Sequence, residues 1–193
     1  MRLLVLYAHP VPESFGAAVH ETVVATLRGA GHEVDDCDLY ADGFDPVLSR
    51  DERRGYHDTE ANARPVAAYV ERVKAAEALV LCFPVWNFGY PAILKGFLDR
   101  VFLPGVSFAM VDGKAQPALH NIRRLAAVTS YGGSRWRAFL MGNPPRKAVC
   151  RALRAVCHPL ARTTYLAHYD MNLSTPASRA AFLQKIEAKL AVF

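Results

Sequence analysis

Three short stretches of the chain concentrate residues able to do chemistry. The first, Ala8-His9-Pro10-Val11-Pro12-Glu13-Ser14-Phe15-Gly16, sets a histidine, a hydroxyl and free backbone amides where a helix would begin. That combination suits a phosphate, because amides at a helix N-terminus point outward and the helix dipole favours negative charge. The stretch has neither the G-x-G-x-x-G spacing of a dinucleotide loop nor the Gly-Lys-Ser/Thr ending of a Walker A loop. A plain helix cap with a loop histidine explains the same residues.

The second stretch is Phe83-Pro84-Val85-Trp86-Asn87-Phe88-Gly89-Tyr90-Pro91. Aromatics, two prolines and a glycine directly after an apolar run make a rigid shelf that suits a flat conjugated ring. An aromatic interface between subunits is the alternative, and one surface can serve both purposes. The third is Thr129-Ser130-Tyr131-Gly132-Gly133-Ser134, where paired glycines allow backbone to approach a ligand closely. Beyond it, Arg135-Trp136-Arg137 and Arg146-Lys147 bracket a Gly- and Pro-containing stretch. This reads as a solvated loop, with a lid that attracts cofactor phosphates as the sharper reading.

Other chemistries find no support. The seven histidines show no close metal-ligand spacing, and the cysteines do not supplement them. Ser14 and Ser130 lack the G-x-S-x-G elbow of a serine hydrolase.

The elements that would position these stretches alternate along the chain. Leu3–Ala8, His32–Leu39, Ala78–Phe83, Leu125–Thr129 and Thr163–His168 read as strands. The helices expected between them start at the Ser14 cap and end at Gly29–Gly31, then cover Val66–Ala76, the stretch from Pro91 to Phe102, Pro145–Val156 and Ala177–Leu190. Strict β/α alternation predicts an α/β fold, a three-layer sandwich with a five-stranded parallel sheet of order 2-1-3-4-5. Ligands bind such sheets beyond the carboxyl ends of the strands, where the three stretches converge.

The chain's 193 residues, 52% of them hydrophobic and 21% charged, fit one globular domain over 1–193. Four cysteines without a C-x-x-C pair suit a reducing compartment, and the expected location is cytoplasmic. No apolar run has the length of a bilayer span. The formal charge of +5 comes from dispersed Arg and Lys, which argues against a nucleic-acid module and mildly favours anionic small ligands.

The run Phe83-Pro84, then Phe88-Gly89-Tyr90-Pro91-Ala92-Ile93-Leu94-Lys95-Gly96-Phe97-Leu98-Asp99-Arg100-Val101-Phe102, resembles the flavin-ring loop and following helix of the flavodoxin-like NAD(P)H:quinone oxidoreductase family. His9, Ser14 and Phe15 resemble that family's phosphate loop, and Phe44-Asp45-Pro46-Val47-Leu48-Ser49 its segment after strand two. The resemblance implies a flavin held by His9, Ser14, Phe15 and Gly16 at the phosphate. Pro84, Val85, Trp86, Asn87, Phe88, Thr129, Ser130, Tyr131, Gly132 and Gly133 would lie around the ring. It implies NAD(P)H as co-substrate, a quinone-like acceptor, two successive hydride transfers and a homodimer, with exposed aromatics around Trp86 and Tyr90 at the interface. FMN is expected rather than FAD, because the extension that larger members use for the adenylate half is absent.

Two departures stand out. The better-studied members carry Tyr and His after the glycine pair, where this chain has Arg135, Trp136 and Arg137. Tyr131, before the glycines, is the remaining catalytic candidate, with solvent as an alternative proton source. Gly16 replaces a residue that is commonly polar. Alternative readings are an azo- or nitroreductase, or a regulatory or electron-carrier flavoprotein of a membrane transport system. A pI near 9.1 counts against the carrier, since carrier flavodoxins are acidic.

Overall fold

Continuous apolar runs need cover on both faces, and the sheet supplies it. In the computed structural model, which describes residues 1–193, β1 (Arg2–Tyr7), β3 (Ala78–Val85) and β6 (Arg124–Tyr131) form the centre of a five-stranded sheet. β2 (Glu33–Asp38) and β7 (Arg162–His168) are its edges, all pairings are parallel, and the order is β2-β1-β3-β6-β7. Counting only these five strands, that is the expected 2-1-3-4-5.

Side chains alternate between two cores. Leu4, Leu6, Leu79, Leu81, Leu125 and Ala127 meet α4 (Ala67–Ala75) and α5 (Ala92–Val101) through Val70, Val73, Leu94 and Phe97. Leu3, Val5, Val80, Ala126 and Val128 face α1 (Phe15–Gly29) and α8 (Pro176–Leu190) through Val23, Leu27, Phe182 and Ile186. No helix is long and apolar enough to cross a membrane.

The connection after β2 is tied down rather than loose. Its charged run Arg50–Arg54 forms a short helix, α2, held by a capping box between Ser49 and Glu52, and a second short helix, α3 (Thr59–Ala63), follows it. Arg100 on α5 donates to Glu52 Oε1 at 2.6 Å and to the Asp45 carbonyl. At Gly96, a Cβ would overlap the Pro46 carbonyl oxygen and ring, so only glycine lets α5 lie against Phe44–Ser49. That contact is the physical content of the Phe-Asp-Pro-Val-Leu-Ser segment.

Four features depart from expectation. A two-stranded antiparallel pair, β4 (Phe108–Val111) with β5 (Lys114–Pro117), fills a stretch with no expected strand. β6 runs two residues beyond Thr129 because its backbone keeps pairing with β3 up to Val85↔Tyr131. The basic stretch after Gly133 is not a solvated loop but a helix, α6 (Arg135–Leu140), capped by Ser134 Oγ accepting from the Arg137 amide, and the short α7 (Pro144–Lys147) follows it. Tyr90 is not an exposed aromatic: its ring packs edge-on against Phe83 at 5.1 Å, with the hydroxyl buried.

All four thiols are unpaired. Burial pushes Cys37 up to about 12 and Cys157 up to about 11, and raises Cys82 and Cys150 as well.

Candidate functional site

The strand order reverses direction between β1 and β3, so the crevice beyond their carboxyl ends is where this fold receives a ligand. The last β1–β3 contact is the Ala8 amide donating to the Cys82 carbonyl at 3.0 Å. Donors alternate sides along a strand, so the N–H that Pro84 lacks would have faced the space β1 has vacated. A proline inside a central strand is therefore tolerated at the mouth of the site.

On one side of the crevice stands the N-terminus of α1. Ser14 caps it, with Oγ accepting from the Ala17 amide at 3.1 Å, and the Phe15 and Gly16 amides carry no backbone partner. His9 Nδ1 accepts from the Val11 amide at 3.1 Å and lies 3.1 Å from Ser14 Oγ. This bonding assigns the ring proton to Nε2. Gly16 is explained by the same ring: a Cβ there would come within 3.0 Å of His9 Cδ2 and 3.3 Å of Ser14 Oγ. The glycine lets His9 lie across the first turn, where a polar side chain would have displaced it.

On the other side, Asn87 and Phe88 both adopt left-handed backbone, with φ of 48° and 56°, between Trp86 and Gly89, which exchange two hydrogen bonds. This is a two-residue turn of the type that favours Asn-Gly. Phenylalanine at the second position costs roughly 1–2 kcal/mol. The turn leaves the Asn87 and Phe88 amides without backbone partners and holds Trp86 and Phe88 at 42% and 40% exposure. The His9 and Trp86 rings lie 5.9 Å apart, which joins the two walls.

The floor is the end of β6. Neither Gly132 nor Gly133 has positive φ, and a Cβ at Gly132 would meet only Asn172 at 3.5 Å, so these glycines matter for their open outer face. Thr129 is buried with Oγ1 unpartnered, while Ser130 is half-buried on the opposite face. Tyr131 turns inward. Its hydroxyl donates to Asn143 Oδ1 at 2.7 Å and lies 2.7 Å from the Tyr165 hydroxyl, and its ring stacks on Tyr169. Burial leads in pushing it up to about 12, partly offset by Tyr165, so at neutral pH it is a neutral phenol.

The structure thus places His9, Ser14, Phe15, Gly16, Trp86, Asn87, Phe88, Gly132 and Gly133 just beyond the carboxyl ends of β1, β3 and β6, with Pro84 and Val85 closing β3. The His9 and Trp86 rings join the first two loops, while the Phe15 ring packs inward on His168 and Phe182. Of the residues that sequence reading did not select, Asn143 joins this group through the Tyr131 hydroxyl, and Tyr165, Tyr169 and Asn172 through β7 and the Asp170 amide that donates to the Gly133 carbonyl. Their separation along the chain left no local signal.

Residues 1–190 match a family described as having a flavodoxin-like fold. The chain belongs to this flavodoxin-like family. Over 149 residues it is 34% identical to NAD(P)H dehydrogenase [quinone] 1 of Rattus norvegicus, covering 69% of this chain and 54% of that protein. The flavodoxin-like chain therefore spans about half the length of this curated relative. Among solved structures, Smu.1420 from Streptococcus mutans UA159 superposes with a TM-score of 0.89 at 26% identity over 100% of both chains. The NAD(P)H:quinone oxidoreductase from Methanothermobacter marburgensis does so at 0.84 and 24% identity, over 99% of this chain and 98% of that one.

Two histidines of this flavodoxin-like chain make its stability depend on pH. Burial lowers both His9 and His168 from the ordinary 6.5, and His168 Nδ1 has no partner. Below 6.5 the unfolded chain binds protons that the folded chain refuses, so stability is full above that pH and falls below it. The melting temperature is expected to drop between about pH 7.5 and about pH 5.5, and less so in His168→Gln. An identical drop in the variant would remove His168 from the account.

Proposed function

We propose that the protein is a flavin-dependent NAD(P)H oxidoreductase that reduces quinone-like acceptors, with FMN as its cofactor. The observation that carries the reading is the strained Asn87–Phe88 turn, facing the capped N-terminus of α1 across the crevice between β1 and β3. Strain held at a ligand crevice is retained where the strained geometry is used.

The residues fit the group. The Phe15 and Gly16 amides and the His9 Nε2 proton would receive a phosphate monoester, with His9 neutral so that it donates without adding charge. Trp86 and Phe88 would flank the ring, and the Asn87 and Phe88 amides would meet its polar edge. Bound there, a flavin supplies the two-electron chemistry between NAD(P)H and the acceptor. The protein's part would be to hold and orient the ring. Tyr131 acts as a positioning residue, because its own proton is committed to Asn143, and the proton for the acceptor comes from solvent. A second copy of the chain covering the Trp86–Phe88 shelf belongs to the same proposal, as does a cytoplasmic site of action, which the four free thiols suit.

The test is the visible spectrum of the purified protein before and after NADH or NADPH without oxygen. Flavin bands that bleach, and return on adding a quinone, are expected. Failure to retain flavin after reconstitution with FMN and with FAD overturns the reading.

A further inference from the structure

The cations are dispersed along the chain, but the acids are not. Residues 113–169 carry ten Lys and Arg and no Asp or Glu, so this stretch contributes +10 to the net +5 and the remainder contributes −5. Within it, α6 turns only Ala138 inward. Trp136, Phe139, Leu140 and Met141 stand out at 64%, 67%, 58% and 54% exposure, and the Trp136 and Phe139 rings stack at 5.5 Å. Single exposed apolar residues are ordinary, but four large ones within six positions on one short helix and its C-cap form a surface that water solvates poorly.

Around this patch lie Arg135, Arg137, Arg146, Lys147 and Arg151, all exposed and none in an ion pair. Elsewhere the arginines with structural work, Arg72 and Arg100, are paired at 2.7 Å and 2.6 Å. Cavities of about 310 and 390 Å3, lined by Asn143 and Arg146 with Lys147, Arg151, Arg135 and Lys185 on their walls, continue the cationic surface.

We propose that α6 and the segment through Arg151 dock the protein on an anionic lipid bilayer. An apolar tip ringed by unpaired cations is what the interface of such a bilayer accepts: rings enter the acyl boundary while guanidinium groups stay with headgroup phosphates. A second copy of the chain matches the patch less well, since a symmetric contact through this face would bring two sets of unpaired cations together with no acid from residues 113–169 to meet them. The inference stands without the flavin reading. Only its consequence rests on that reading: α6 begins directly after Gly133, so docking would place the crevice beside the lipid and make a bilayer-dissolved quinone the natural acceptor.

The experiment uses the whole chain and vesicles of phosphatidylcholine, with and without equimolar phosphatidylglycerol. Co-sedimentation is expected only with the anionic vesicles and is expected to weaken as salt rises. Brominated lipids are expected to quench the fluorescence of wild type and of Trp86→Phe, but not of Trp136→Phe. The double variant Arg135→Gln/Arg137→Gln is expected to bind about 30-fold more weakly, each cation near the surface contributing about fivefold. Trp136→Ala/Phe139→Ala is expected to lose about tenfold or more, with an unchanged circular dichroism spectrum.

Equal binding to neutral vesicles, or no quenching, overturns the proposal. So does unchanged affinity in both double variants. Dissociation of a dimer by Trp136→Ala/Phe139→Ala without any vesicle effect would assign the patch to a second copy, and tight binding of a single-stranded oligonucleotide in place of vesicles would assign it to nucleic acid. None of these readouts depends on bound flavin, whose loss is judged separately from the visible spectrum.

Discussion

Replacing Trp86 and Phe88 together by alanine is expected to weaken FMN binding about 100-fold, from an aromatic stacking contribution of about 1–3 kcal/mol per ring. Titration of FMN fluorescence against the apoprotein reads the effect directly. The fold is expected to survive, because both side chains are two-fifths exposed and neither belongs to the two cores. Phe88→Gly sharpens the test by separating the ring from its backbone. Glycine relieves a φ of 56° in a turn built for it, so this variant is expected to melt higher than wild type while holding FMN less well. Wild-type affinity in the double variant would put the ring elsewhere.

The second large effect is expected at Gly96. Glycine to alanine inside a helix normally stabilises by about 1 kcal/mol. Here the added methyl meets the Pro46 backbone, which cannot swing aside while Arg100 grips the neighbouring Asp45 carbonyl and Glu52. Overpacking of this kind costs about 1–3 kcal/mol, enough to lower the melting temperature by about 2–12 °C in a chain of this size. A rise in melting temperature would show that the Phe44–Ser49 segment yields easily, and that the contact does not fix the helix behind the ring shelf.

Much of this architecture is readable from residue pattern, for a physical reason. β1, β3 and β6 are buried on both faces, so they are written as unbroken apolar runs, and α1 is bounded by the Ser14 cap and the Gly31 turn at φ 81°. The loops after those strands are equally legible, since the histidine, the hydroxyl and the aromatics that matter lie next to one another in sequence. What stayed hidden depends on distant parts of the chain. Tyr131 looks like a loop residue with a free hydroxyl until β3 extends its pairing and Asn143 and Tyr165 take its hydrogen bonds. The β4–β5 pair is short and almost wholly exposed, so it lacks the alternation that marks a half-buried strand. The basic stretch after Gly133 reads as solvated because its charges are conspicuous, yet the Ser134 cap makes it a helix that lifts its aromatics into view.

The state of the thiols has a practical meaning. Maleimides and disulfide-linked spin labels are attacked by the thiolate, and burial raises all four cysteines above the ordinary thiol value. Cys37, Cys82 and Cys157 are therefore a quiet background for site-directed probes, and half-buried Cys150 is the one native thiol to replace. A single cysteine introduced on the exposed side of α6 can then carry a reporter of depth or distance without disturbing the packing that the three buried ones complete.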